Sequence, residues 1–396
     1  MIYADHAATT NMSRAAIQAM LPYLDTLYGN PSSLYAFGQR AKEALEDARG
    51  RVAACLGAKA SEITFTSGGS EADNQAILTA AHLGARRGKK HLISTAFEHH
   101  AVLHTLDALE KEGFEITLLD VHSNGIVSAQ QVADAIREDT ALVSVMYANN
   151  EIGTIQPIAD IGAVCRERGV LLHTDAVQAA GHLPIDVEKQ SIDLLSLSGH
   201  KFHGPKGVGA LYARRGILPE PLIRGGAQER GRRAGTENVP AIIGMAAALE
   251  DACRRMDSYA EQLCPLRDRL IAGLAKIPYA ALNGDALRRL PGNVNFCFEG
   301  IEGEALLLLL DEKGICASSG SACTSGSRDP SHVLLAIGRP HEVAHGSLRL
   351  TLGEDATDAD IAYLIDAVTE VVIYLRSISP FWHDLVSGKR PHVLEQ

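Results

Sequence analysis

The sequence predicts an α/β protein built on a mostly parallel central sheet, with a second, smaller α+β domain after it. Three observations carry this prediction. Between about residues 90 and 215 short β-rich runs alternate with helical patterns, as in a doubly wound sheet. The 396 residues include 36 glycines and only 5% aromatics, which suits many tight strand–helix turns and not a β-sandwich. After about residue 277 the order of elements changes.

The elements follow in chain order. GQRAKEALEDARGRVAACLG (38–57) reads as a helix closed by Gly57 at its C-cap. The strand EITFT feeds a helix that begins at SGGSEADN (67–74). Strands are expected at 91–95, 115–121, 141–147, 170–174, 193–198 and 208–213, with amphipathic helices near 129–139 and 157–168. From Asn238 to about Ile277 the pattern is helical, interrupted once by Pro265, and reads as a connector. A strand at 293–298, a helix at 303–314, a Gly/Ser-rich segment at 318–327, a strand at 347–353 and a helix at 357–377 follow. The expected division is a large domain over 12–255 and a small domain formed by 1–11 and 256–396. From Ser379 onward the polar, Pro-broken residues predict partial disorder.

Composition excludes several functions. Lys and Arg total 37 against 48 Asp and Glu, a net charge of −11, which argues against a nucleic-acid or anionic-membrane binder. Apolar runs such as ALLLLL (305–310) fall far short of the about 18 residues of a membrane span, and the start, MIYADHAATT, lacks a signal-peptide pattern. Seven scattered cysteines, an odd number with no CxxC, fit neither a disulfide framework nor a zinc site. A reduced, cytoplasmic protein is expected.

The chemistry-bearing residues fall at strand ends. Asp175 ends the strand VLLHT, and Lys201, in SGHKF (198–202), follows the strand DLLSLS. They lie 26 positions apart, about one strand–helix–strand unit, so a carboxylate and a lysine face one crevice. Pyridoxal 5'-phosphate (PLP) needs that pair: a lysine for the Schiff base and an acid to hold the pyridine nitrogen protonated. In TSGGSEADN (66–74) free N–H groups at a helix N-terminus, with the Ser67 and Ser70 hydroxyls, can cradle a phosphate. His99, in EHHAV (98–102) after the strand HLIST, can stack on a cofactor ring and move protons, although a lone histidine is more often structural. Cys323, in SSGSACTSGS (318–327), lacks the apolar neighbours of a packed cysteine and reads as a thiol on a loop that Gly320 and Gly326 allow to swing.

Ten collinear strings, 5-DHAATT-10, 29-GNPSS-33, 66-TSGGSEADN-74, 98-EHHAV-102, 149-NNEIGT-154, 173-HTDAVQ-178, 198-SGHK-201, 225-GGAQERGRRAGTEN-238, 318-SSGSACTSGS-327 and 345-HGSLR-349, resemble the motifs of the NifS/IscS cysteine desulfurases of the class V aminotransferase superfamily. Within that family FHGPKGVG (202–209) and LRSISPFW (375–382) look most like the NifS branch, which serves nitrogenase clusters. The resemblance implies a fold type I, PLP-dependent aminotransferase-like homodimer. It implies that Lys201 holds PLP, that Asp175 pairs with the pyridine nitrogen, that Gln178 and Asn150 lie near the ring hydroxyl, and that His99 stacks on the ring. Gly69, Ser70, Ser198 and His200 are implied to bind the phosphate, with Thr236 reaching it from the partner subunit. Arg349, with Asn150 beside it, would take the substrate carboxylate.

The implied reaction converts L-cysteine to L-alanine, leaves a persulfide on Cys323 and passes the sulfur to an iron–sulfur scaffold of the NifU or IscU kind. Cys323 is also the one candidate metal ligand, solely through a persulfide to a cluster shared with such a scaffold. The alternatives are a housekeeping IscS-type enzyme for general iron–sulfur and thio-cofactor synthesis, a selenocysteine lyase or other PLP lyase, and an inert assembly scaffold; the last has no use for Lys201, Asp175, His99 and Cys323 together. Three positions depart from the common pattern: His6 replaces Asn or Ser, Tyr35 follows GNPSS where a histidine is common, and Ser70 replaces Thr while keeping the hydroxyl.

Overall fold

The computed structural model describes residues 1–320 and 330–394. The chain opens with the short strand β1 (Ile2–Tyr3), followed by helices α1 (Arg14–Asp25) and α2 (Ala36–Leu56). Ser13 caps α1 by accepting from the Ala16 N–H. Gly57 ends α2 as expected, in the left-handed region at φ 69°, ψ 24°, with its N–H returned to the carbonyls of Ala53 and Ala54.

Strand–helix alternation then begins with β2 (Ile63–Thr66), α3 (Gly69–Ala85), β3 (His91–Thr95), α4 (His100–Lys111) and β4 (Glu115–Leu119). It continues through α5 (Ala129–Ala135), β5 (Thr140–Ser144), α6 (Ile158–Arg168), β6 (Leu171–Asp175), β7 (Leu194–Ser198) and β8 (Gly209–Ala213). The strands form one seven-stranded sheet in the order β2-β8-β7-β6-β5-β3-β4. The five from β7 to β4 are parallel, while β8 runs antiparallel between β7 and β2. The sheet is therefore mostly parallel, as the alternation predicts. Strands β3, β5, β7 and β8 are buried at every position, as strands covered on both faces must be, whereas the edge strand β4 is partly exposed. The helix expected at 129–139 is shorter, because Ile136 already takes an extended conformation.

Helix α7 (Val239–Leu274) runs unbroken for 36 residues with Pro265 inside it. A proline there costs about 3 kcal/mol. Leu263, Leu266, Leu270 and Leu274 are buried on both sides of it, and their packing outweighs the lost hydrogen bond. The first half of α7 packs in the core beneath the large sheet and the second half in a separate core, so it is the connector that the sequence suggests.

The chain continues through β9 (Ala280–Leu282), β10 (Asn293–Phe298), α8 (Gly303–Glu312), β11 (Ile315–Cys316), α9 (His332–Ala336), α10 (His341–Ala344), β12 (Ser347–Thr351), α11 (Asp358–Ile378) and α12 (Pro380–Val386). Of these, α9 and α10 bury Val333, Leu334, Val343 and Ala344 in the core of the large sheet, whereas β9, β10, α8, β11, β12 and α11 build the second core. Its antiparallel sheet has the order β12-β10-β9, and β1 returns the N-terminus to this region by pairing with β11. Over residues 379–394 the expectation of disorder is overturned. Ser379 caps α12 by accepting from the Trp382 N–H, with Pro380 at the first helical position. Beyond it, His392 stacks on Tyr279 at 3.7 Å and the Val393 N–H donates to Glu299. Among the described residues no helix is long and apolar enough to cross a membrane.

Candidate active site

Parallel strands deliver their carboxyl ends to one edge of a sheet, and here β5, β6 and β7 do so beside the N-terminus of α3. The resulting crevice, of about 190 Å³, is lined by Gly69, Ser70, His99, Asn150, Asp175, Gln178, Ser198, His200, Lys201 and Arg349. Of the residues singled out from sequence, these ten come together. Thr236 does not line it; it lies exposed in the loop before α7. Ser67 is exposed too, its N–H donating to Glu71, so Ser70 alone of the two serines faces the crevice. Cys323 and Gly326 lie outside the described residues.

Lys201 ends a single turn of 3₁₀ helix after β7, and its ammonium donates to the carbonyls of Ala7 and Ala8, the latter at 2.8 Å. Asp175 is buried at the end of β6, where one oxygen accepts from the Val177 N–H at 2.9 Å. Burial raises its carboxyl, against the lowering pull of His99, the Val177 N–H and Lys201. His99 stands as the N-cap of α4, with Nδ1 accepting from the Ala101 N–H at 3.1 Å. That bond assigns the proton of the neutral ring to Nε2. Burial and the neighbouring Lys201 and Lys206 push His200 down to about 4.

Arg349 is 1% exposed, the most enclosed of these side chains. Its Nη2 donates to Asp5 at 2.8 Å and its Nη1 to the Asn150 carbonyl at 3.0 Å, while Nε has no hydrogen-bond partner among the described residues. Gln178 donates to the Ala7 carbonyl at 3.0 Å, tying the segment after β1 across the crevice.

Sequence reasoning missed Asp73, Met146, Val177, Ala7 and Ala8 as lining residues. Asp73 stands one helical turn after Gly69, so its place on the same face of α3 was open to reading. Burial, and then the Asp175 charge, hold its carboxyl well above the ordinary range. Ala7 and Ala8 contribute backbone carbonyls, which no side-chain pattern discloses. Glu98, one residue before His99, was missed as well: it is fully buried and its carboxyl is pushed up to about 8 by burial.

The donor set fits PLP. A β-carbon on Gly69 would come within 2.6 Å of Val177 Cγ2, so a glycine is needed where the backbone of α3 closes on the crevice. Ser70, Ser198 and His200 surround that helix start, whose free N–H groups suit a phosphate. Asp175, a buried carboxyl that lines the crevice, suits a protonated pyridine nitrogen.

The fold and this crevice define a PLP-dependent enzyme of the aminotransferase type. The class-V aminotransferase family matches residues 2–364. The chain is 53% identical over 391 residues to a cysteine desulfurase IscS of Clostridium botulinum, covering 98% of each. It is 55% identical over 379 residues to a cysteine desulfurase IscS of Methanosarcina thermophila, covering 96% of this chain and 94% of that one. A solved NifS-like protein superposes with a TM-score of 0.88 at 38% identity, over 94% of this chain and 100% of the other. The chain belongs to the class-V aminotransferase family and, within it, to the cysteine desulfurases, and its cofactor is PLP.

Proposed function

We propose that the protein removes sulfur from L-cysteine, releases L-alanine and carries the sulfur as a persulfide on Cys323 to an iron–sulfur scaffold. The observation that carries this reading is the convergence of Lys201, Asp175, His99 and Arg349 on one crevice. Bound there, PLP supplies an electron sink for the α-carbon of an amino acid. Asp175 holds the ring nitrogen protonated, Gln178 and Asn150 hold the ring edge, and Gly69, Ser70, Ser198 and His200 hold the phosphate. Arg349 takes the substrate carboxylate, with Asn150 beside it. Lys201 moves the α-proton, and His99, fixed by its capping bond, lies on the ring and moves protons at the sulfur side. The Cys323 thiolate then takes the sulfur: the C–S bond of the substrate breaks, an S–S bond forms, and a proton ends on the methyl of alanine.

In this reading Thr236 serves the partner subunit of a homodimer, which its exposure in its own chain supports. Residues 12–255 form the cofactor unit, and residues 1–11 with 256–396 form the unit that presents Cys323. The IscS names of the relatives support general iron–sulfur supply in the cytoplasm, while the NifS-like strings support service to nitrogenase clusters. The Cys323→Ala protein is expected to keep its cofactor absorbance and to release no sulfide from L-cysteine under reductant. Normal sulfide release would remove Cys323 from the mechanism. Transcription alongside nitrogenase-assembly genes, against constitutive transcription, separates the two supply roles.

A further inference from the structure

Helices α2 and α7 pack against each other beside the large sheet, and the seam between them carries chemistry outside the active-site crevice. Arg51 of α2 donates to Glu250 Oε2 of α7, at 3.1 Å from Nε and 2.5 Å from Nη2. Cys55 stands one turn beyond Arg51, and Cys253 one turn beyond Glu250, so the same seam sets the two thiols side by side. They touch: the Cys55 thiol donates a hydrogen bond to the Cys253 sulfur. The turn at Gly181 closes on α7 at this point. A β-carbon on Gly181 would come within 2.9 Å of Ala252 Cβ, and the Gly181 N–H donates to the Cys253 sulfur.

Both thiols are free and partly exposed, at the rim of the large core. Cys165 and Cys297 are the contrast: both are buried, and burial pushes their thiols up to about 12 and about 11, which makes them inert. At the seam the hydrogen bonds make the two cysteines unequal. The bond from Cys55, with that from the Gly181 N–H, holds Cys253 below the ordinary thiol value against the effect of burial. The same Cys55–Cys253 bond, then burial and the Glu250 charge, raise Cys55 against the pull of Arg51. Cys253 is therefore the nucleophile of the pair, and Cys55 is the neighbour that keeps its proton.

We propose that Cys55 and Cys253 form a reversible oxidation site, at which a hydroperoxide converts the two thiols to a disulfide between α2 and α7 and a dithiol restores them. The Cys253 thiolate attacks one peroxide oxygen; the O–O bond breaks, an S–O bond forms, and the other oxygen leaves as an alcohol, or as water when the oxidant is hydrogen peroxide. Cys253 is then a sulfenic acid, its sulfur oxidised by two electrons and the peroxide reduced by two. The Cys55 sulfur attacks it, the S–O bond breaks, an S–S bond forms, and the hydroxide leaves as water with the Cys55 proton. A dithiol reverses this by exchange and leaves as its own disulfide. The site needs neither Lys201 nor Cys323. Its consequence follows from α7, which serves both cores: Cys253 lies between the buried stretch that ends at Leu249 and the one that resumes at Leu263. A disulfide there fastens this helix to α2 across about 200 positions of chain and removes freedom from the unfolded state.

The test is a thiol map of the folded wild-type holoenzyme, treated with hydrogen peroxide, blocked with iodoacetamide and digested with trypsin. Cys55 falls in peptide 52–59 and Cys253 in 234–254, while Cys323 falls in 314–328 and is scored apart. The expected product is 52–59 joined to 234–254, two hydrogens lighter than the separate peptides and lost on treatment with dithiothreitol. The oxidised protein is expected to unfold at higher urea than the dithiothreitol-reduced one, followed by cofactor absorbance, and Cys55→Ser should abolish that shift. Cys55→Ser should also leave a sulfenic acid on Cys253 that dimedone traps, whereas Cys253→Ser should leave Cys55 an unmodified thiol. Joined peptides that form solely after unfolding, or two thiols that stay alkylable in the treated folded protein, overturn the proposal. Should the serine variants fail to fold, the wild-type map decides by itself. Dimedone on Cys55 in Cys253→Ser overturns the assignment of Cys253 as nucleophile.

Discussion

Glu98 shows how a single buried group shapes both stability and the site. One oxygen accepts from Thr95 Oγ1 and from the Met146 N–H at 3.0 Å, and its backbone carbonyl accepts from His332. These bonds fix the turn that carries His99. With the folded carboxyl near 8 and an ordinary value of 4.5, the folded protein keeps a proton that the unfolded chain loses. The Glu98 contribution is fully present below pH 4.5 and is lost as pH rises through about 8. The expected result is that wild type loses stability relative to Glu98→Gln by up to about 1.4 kcal/mol per pH unit across that window. Urea unfolding at half-unit pH steps checks this; parallel pH profiles for the two proteins would mean that Glu98 ionises normally. Arg349 makes a second case at this scale. Its planar fork is held by Asp5 and the Asn150 carbonyl, a geometry that one ammonium cannot reproduce. Arg349→Lys is expected to raise the KM for L-cysteine about tenfold or more, and an unchanged KM would place the substrate carboxylate elsewhere.

At the scale of elements, the site depends on how closely α3 approaches the strand ends. Gly69→Ala would drive a methyl against Val177 Cγ2 at 2.6 Å, and relief requires α3 or the β6 turn to shift. The expected cost is about 1–3 kcal/mol of stability, together with weaker PLP retention on dialysis, read from the visible absorbance. Gly50→Ala is the control, because a β-carbon there in mid-α2 meets nothing within 4 Å. It is expected to stabilise by about 0.5–1 kcal/mol. Equal behaviour of the two variants would show that approach distance is not what Gly69 provides. Elements of this kind were legible in the sequence because strand runs, Gly57 and the SGG turn are local signals. Helix α12 was equally local, and Ser379-Pro380 was its start signal, yet polar composition masked it. Ala7 and Ala8 were beyond reach, since they act through backbone carbonyls that pairing of β1 with β11 carries to Lys201. Pro265 shows the reverse error: a strong local breaker overruled by burial of its neighbours.

At the scale of the whole molecule, the crevice lies between two cores, and a polar seam joins them. Arg289, 3% exposed, donates to the carbonyls of Ile152, at 2.8 Å, and Asn283, and to Asn293 Oδ1 at 3.0 Å. Asn293 and Asn295 both donate to the Glu151 carbonyl, at 3.1 and 3.0 Å. Burial pulls the Arg289 pKa down to about 10, so the guanidinium remains charged at neutral pH with its bonds directed at neutral oxygens. Replacing it with methionine keeps much of the volume and strands those carbonyls, at about 1–3 kcal/mol for each left unpaired. The segment on the large-sheet side of the seam, Asn149 to Thr154, includes Asn150 of the crevice, so coupling of the cores and the shape of the site are one matter. The chain has a single tryptophan, Trp382, which lies 4.0 Å from the Arg376 guanidinium beside the second core. Its fluorescence therefore reports on that core, while cofactor absorbance reports on the crevice. In wild type the two signals are expected to share one urea midpoint; in Arg289→Met the fluorescence midpoint should fall ahead of the other. Coincident midpoints in the variant would mean that α7, which spans both cores, couples them without the seam.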